Sequence, residues 1–114
     1  MGVQKMTRDA VKGLRKEGYY RFVAIFTWTG QEDKVVLERF KPYIGHNFPA
    51  EMGIDPETAQ FYYLTGARTE VVIGYTNSGM GLAKFSASIT YGTDIKANIY
   101  HAVEGWESAE AVPK

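Results

Sequence analysis

Side chains able to do chemistry are few and scattered in this chain. It contains no cysteine, which removes thiol nucleophiles, thiolate metal sites and disulfide frameworks together. Its two histidines, His46 and His101, stand far apart, and neither has an acidic neighbour at ligand spacing, so no metal site is expected. His46 lies in the loop "GHNFPAEMGIDPE" and enters the candidate list, because loops carry function more often than strands. His101 shares parity with Ile99 and Val103 and reads as a core or rim residue. No Ser-His-Asp set, H-E-x-x-H motif or paired-carboxylate spacing occurs. The stretch "TNSGMG" could offer backbone amides to an anion at a helix start. It lacks the G-x-G-x-x-G and Walker patterns, however, and reads as an ordinary turn. No catalytic role is assigned to any residue, and no cofactor is expected.

The aromatic residues are more informative. Phe22, Phe26, Trp28, Phe61, Tyr62, Tyr63, Tyr75 and Tyr100 all fall on segments that read as strands. Apolar walls with a few tyrosine hydroxyls suit a small hydrophobic or aromatic ligand, and equally suit a core and a subunit interface. Glu70, Lys96 and Asn98 are the polar strand residues that could project among them. A carboxylate such as Glu70 in that setting would titrate high and could act as a base, unless a basic residue on a neighbouring strand pairs with it. The ligand-binding candidates are therefore Phe22, Phe26, Trp28, His46, Tyr62, Glu70, Asn98 and Tyr100.

The elements that must position these residues follow from periodicity and punctuation. Residues 6–17 read as a short helix with Thr7 as its cap and Gly18 as its stop. "YYRFVAIFTWTG" (19–30) is an aromatic and β-branched strand. "QEDKVVLERFKPYI" (31–44) has the helical period through Val36, Phe40 and Tyr43/Ile44, with Pro42 expected to end or kink it. Strands follow at 59–65 and 68–76, joined by Gly66-Ala67 as a two-residue turn. A helix built on Leu82, Phe85 and Ile89 comes next, capped by Asn77 or Ser78 and stopped by Gly92. The last strand, "DIKANIYHAVEG", alternates Ile95, Ala97, Ile99 and Val103 against Lys96, Asn98 and Tyr100. The tail after Trp106 reads as polar and loose. Three parts result: an N-terminal helical extension (1–18), a main domain (19–106) and a tail (107–114).

Composition bounds the class. At 114 residues with 45% hydrophobic and 23% charged, the chain is one globular domain. Zero formal net charge supplies no field for nucleic acid or an anionic membrane. No apolar run nears the roughly 18 residues of a membrane span. The N-terminus has no signal-like apolar core, so a cytoplasmic location is the expectation.

After the first helix the order is β-α-β-β-α-β, the split βαβ pattern: an α+β, ferredoxin-like antiparallel sheet with both helices on one face. The first and third strands are then central, and both are apolar on both parities, whereas a sheet with one wet face alternates. A helix of about 12 residues spans only about 18 Å, too little to cover four strands. The open face therefore predicts a homodimer, with the first helix as a supplement. In this pattern the chain resembles the dimeric α/β-barrel superfamily, small ferredoxin-like proteins whose sheets pack face to face. The resemblance spans roughly residues 19–104 through "FVAIFTWT", the acidic helix after it and the closing "ITYGTDIKANIYHAVE". It implies sheets packed face to face in a homodimer; the strand aromatics add a small hydrophobic molecule at the open face, and the zero net charge leaves no nucleic acid and no membrane as expected partner. An RNA-recognition module shares the element order, but its basic-Gly-aromatic motif is missing from "RTEVVIGYT" and Glu70 would repel phosphate. A dimer with no ligand is the third reading.

Overall fold

A computed structural model describes residues 6–45 and 47–111. Helix α1 (Arg8–Lys16) leads into strand β1 (Tyr20–Thr27), helix α2 (Asp33–Ile44) and a 3-10 turn at Ala50–Met52. The hairpin of β2 (Gln60–Leu64) and β3 (Thr69–Thr76), helix α3 (Gly79–Thr90), strand β4 (Lys96–Ala102) and helix α4 (Gly105–Ala111) complete an α+β chain. The four strands form one sheet in the order β2-β3-β1-β4, and every neighbouring pair is antiparallel. The two strands with no polar face, β1 and β3, are the central ones.

Burial decides between the two apolar parities of β1. Phe22, Ala24, Phe26 and Trp28 are buried, and with Val72 they form one core with Val36 and Phe40 of α2 and Leu82, Phe85 and Ile89 of α3. Phe26 anchors it, meeting Phe40 and Phe85 edge-on at 5.0 and 5.9 Å between ring centroids. This is the helix face. The other parity, with Val23 and Ile25 from β1 and Val71 and Ile73 from β3, forms the open face and is only partly buried.

Local chemistry sets the boundaries. Thr7 Oγ1 accepts from the Ala10 amide at 3.1 Å and starts α1, and Ser78 Oγ accepts from Gly81 at 2.9 Å and starts α3, as N-caps do. Gly81 does more than begin a helix. A Cβ there would stand 2.1 Å from the Met52 carbonyl oxygen and 2.4 Å from its carbon, so only glycine lets α3 lie against the 3-10 turn.

Three sequence expectations need correction. The helix α2 runs two residues past Pro42 to Ile44. The bond lost to proline falls in the last turn, which Tyr43 holds in place by its 2.8 Å hydrogen bond with Ser88 and its contact with the Phe85 ring. The hairpin loop is four residues, 65–68, rather than two, with Gly66 and Arg68 both at positive φ. The tail is helical over its described length: α4 continues to Ala111. Glu107 Oε1 accepts the Glu104 amide at 2.9 Å, the reach-back half of a capping box, and a 2.6 Å salt bridge joins Arg15 to Glu107.

That salt bridge also shows where the terminal helices sit. The Arg8 guanidinium lies 5.0 Å over Trp106, so α1 and α4 pack together. Glu104, just before α4, bonds Arg21 of β1 and Tyr75 of β3, which face each other across the ladder on the open-face parity. Tyr75 and Val11 are almost wholly buried, although neither belongs to the helix-face core. The paired helices thus close one end of the open face and leave the rest.

Among the described residues no helix is long and apolar enough to cross a membrane.

Candidate functional site

The register sorts the predicted site residues onto two opposite surfaces. Tyr62, Val71, Ile25 and Asn98 form one row across the open face, and Gln60, Ile73, Val23 and Tyr100 form the next. A third row, Leu64, Thr69, Thr27 and Lys96, ends the surface. Tyr62 and Tyr100 on the edge strands are 48% and 55% exposed, and Leu64 is 44% exposed, too much apolar area for side chains sitting beside four β-branched neighbours. Phe22, Phe26, Trp28 and Glu70 are buried on the helix face. One pocket cannot hold both groups. His46 lies outside the described residues, and His101 is exposed at the sheet edge, its ring tilted against Tyr20 at 4.6 Å.

Glu70 is the unusual member. It occupies a central-strand position between Phe26 of β1 and Tyr63 of β2, is only 2% exposed, and its Oε1 has no hydrogen-bond partner. Among the described residues no basic residue pairs with it. Burial pushes its carboxyl up to about 7, because a low-dielectric setting disfavours the charged form.

Beside it lies a carboxylate in the opposite condition. Asp33, in the first turn of α2, accepts from the Tyr63 hydroxyl and, at 2.8 Å, from the Trp28 indole nitrogen. The Tyr63 bond, then the Trp28 bond, hold the Asp33 carboxyl below its usual range, and Tyr63 is raised in turn by its bond to Asp33. Two carboxyl groups pushed in opposite directions thus flank one phenol, the kind of separation that acid–base sites use. Sequence reading reached Trp28 and Glu70 but did not single out Asp33. Its partners come together only in the fold, Trp28 from the end of the β1 segment and Tyr63 from β2.

A third polar group lies at the closed end of the open face. Arg21 Nε donates to Glu104 at 2.5 Å, the Tyr75 hydroxyl donates to the same oxygen, and the Arg21 guanidinium stacks 4.7 Å from the Tyr75 ring. Burial alone would raise Glu104, but the bonds from Tyr75 and Arg21 outweigh it and hold the carboxyl below its ordinary value. Its contribution to stability is therefore present above the ordinary carboxylate range and disappears as pH falls through the folded value. Glu104→Gln is expected to cost about 1.5–3 kcal/mol at pH 7, the usual worth of hydrogen bonds to a charged group. The cost should vanish below the carboxylate range. Thermal melts of both proteins at pH 7 and pH 3 check this.

Metal chemistry finds no support in the side chains: among the described residues no three His, Asp or Glu groups gather as a metal would require. Compared with protein-family models, curated proteins and solved structures, the chain matches none.

Proposed function

We propose that this chain is a ferredoxin-like subunit that pairs with a second copy through the open face of its sheet. A small hydrophobic or aromatic molecule binds at that face beside Tyr62, Asn98 and Tyr100. The strand order β2-β3-β1-β4, with α2 and α3 packed on one side, supports the ferredoxin-like layout. The single observation that carries the pairing is the open face itself. Val23, Ile25, Val71 and Ile73 stand side by side at its centre without full cover, and partly exposed Leu64, Tyr62 and Tyr100 surround them. A flat apolar sheet is best covered by another sheet face about 10 Å away. With zero net charge, two copies meet without mutual repulsion. The edge tyrosines supply aromatic walls, and Asn98 supplies a polar contact, for a small ligand between the sheets.

An RNA-binding reading is less well supported. Base stacking needs exposed aromatic rings on the central strands; here the uncovered positions are aliphatic, and Tyr75 is buried beneath Glu104.

Ile25→Glu tests the pairing. It places a carboxylate at the centre of the proposed contact while leaving the helix-face core untouched, so the fold should persist. Burying an unpaired charge is costly, and the dimer dissociation constant is expected to rise about 100-fold or more, equivalent to ~2.8 kcal/mol. Size exclusion with light scattering should give twice the 12.8 kDa chain mass for the parent and the chain mass for the variant. A monomeric parent would refute the pairing. Uptake of an apolar fluorescent dye by the parent, reduced in Tyr100→Ser, tests the ligand. A dimer that takes up no dye is a dimer without a ligand there.

A further inference from the structure

The outer edge of β4 is a second surface, and what it does is independent of the open-face pairing. The ladders show which backbone groups it offers. The Trp28 amide donates to the Arg68 carbonyl at 3.3 Å, one step beyond the β1–β3 register, so the even-numbered residues of β1 bond β3. Successive residues of a strand turn their N–H and C=O to opposite sides. The odd-numbered residues of β1 therefore bond β4, through Lys96, Asn98, Tyr100 and Ala102. Ala97, Ile99 and His101 are left with N–H and C=O pointing away from the sheet. The sheet ends at β4, and no residue of that strand is buried, so among the described residues nothing lies along it.

Proteins usually blunt such an edge with a short strand, proline, a bulge or charge. The opposite edge is blunted: β2 has five residues, and by the same alternation only Phe61 and Tyr63 turn their backbone outward. Strand β4 has seven residues, keeps its register without a bulge from Lys96 to Ala102, and contains no proline. Its one lysine stands at its first position. Ile99 and Tyr100 in its interior are 39% and 55% exposed, an apolar centre on an open edge.

The strand also complements itself. Laid antiparallel on another β4 about a two-fold axis at Ile99, it sets Ile99 against Ile99, Ala97 against His101, Asn98 against Tyr100 and Lys96 against Ala102. No like charges meet, and the exposed Ile99 side chains cover each other. This register matches all three outward residues with one another, and each such pair exchanges two N–H···O bonds. A shift of the axis by one residue brings in Ile95, whose amide is already bonded to Thr93 Oγ1 at 3.0 Å, or Val103, which lies outside the strand.

We propose that β4 pairs antiparallel with β4 of a second copy about Ile99, joining two four-stranded sheets into one continuous sheet. The open-face rows then run on from Asn98 of one copy to Tyr100 of the other. If the open face takes a ligand as proposed above, its Asn98 and Tyr100 contacts come from two copies, a point that rests on that reading. The edge contact has no core of its own, so it forms at higher concentration than sheet-on-sheet packing, and size exclusion at micromolar loading reads the open-face pair alone.

The Ile25→Glu chain, whose open face cannot pair, isolates the edge. Sedimentation equilibrium from micromolar to millimolar concentration should carry its mass from one chain to two. Adding Ile99→Lys sets like charges directly opposite at the axis, as does Ile99→Glu, and each should weaken association by about 10-fold or more. Residue 99 is exposed, so the fold persists. An equimolar mixture of the Ile99→Lys and Ile99→Glu chains should associate at least as well as the chain with Ile99, because opposite charges then meet. A merely solubilising effect of charge would leave the mixture no better than either variant. The edge pairing is overturned if the Ile25→Glu chain stays single at millimolar concentration, as it would were the edge reserved for a different protein. It is equally overturned by undiminished association of Ile99→Lys or by no recovery in the mixture. A parent that is monomeric at micromolar loading, with the Ile25→Glu chain still pairing at millimolar, would refute the open-face reading and uphold this one.

Discussion

Glu70→Gln is expected to make the protein more stable at pH 8 by up to ~3 kcal/mol and to leave its stability at pH 4 nearly unchanged. The direction follows from linkage. An unfolded glutamate titrates at 4.5, whereas burial raises the folded group to about 7. Between those values the folded state holds more protons than the unfolded one, so stability falls as pH rises through the window and is flat above it. A difference of about 2.5 pKa units at 1.36 kcal/mol each gives the ~3 kcal/mol. Glutamine copies the shape and hydrogen-bonding of the protonated acid, so it removes the cost of ionisation and nothing else. Urea denaturation of parent and variant at pH 4, 6 and 8 measures the effect. Parallel pH profiles for the two proteins would contradict the burial and isolation of this carboxyl. The result would also show a residue kept at the expense of stability, as binding and catalytic residues often are.

Gly81→Ala should destabilise the fold by about 2–3 kcal/mol or more, although alanine is the better helix former by about 1 kcal/mol. The added Cβ would meet the backbone of Met52 and Glu51 at 2.1 to 2.8 Å. Backbone cannot turn aside as a flexible side chain can, so either the start of α3 or the 3-10 turn must move, with the usual costs of overpacking. Gly13→Ala provides the control. Gly13 sits within α1 and a Cβ there meets nothing within 4 Å, so the same substitution should stabilise by about 0.5–1 kcal/mol. Melting temperatures moving in opposite directions for the two variants bear this out. Equal shifts would mean that α3 does not press on the turn at that point.

The sequence revealed some features more clearly than others, for physical reasons. Element order was readable because Gly18, Gly30 and Gly92 punctuate segments of unlike period, and the Val36/Phe40 and Leu82/Phe85/Ile89 stripes are unambiguous. The facing of β1 was not readable, since Phe22, Ala24 and Phe26 compete with Val23 and Ile25 on equal terms, and only the sheet's partners decide. Helix α4 was missed because "WESAEA" has no apolar stripe. It is held locally by the bond of Glu107 to the Glu104 amide and by charge through Arg15 and Glu107, and the second contact is invisible without the neighbouring helix. Pro42 was overrated as a helix stop because tertiary contacts of Tyr43 outweigh one lost hydrogen bond.

The candidate site was half legible. Glu70 stood out as a charge in an apolar strand, and its isolation is what gives it interest. The aromatic list mixed two surfaces, because residue type alone does not tell Phe26, at the bottom of the core, from Tyr100, at the open edge. Asp33 was unremarkable until the fold brought Trp28 and Tyr63 to its two oxygens.

Whether the open face meets a second copy of itself is decided by isotope-filtered NOE measurements on a mixture of labelled and unlabelled protein. Intermolecular contacts are expected from the methyl groups of Val23, Ile25, Val71 and Ile73 to one another and to Tyr62, Leu64 and Tyr100. Intermolecular contacts confined to the exposed helix-side residues Val35, Ile44, Met80 and Tyr91, or none at all, would contradict the pairing.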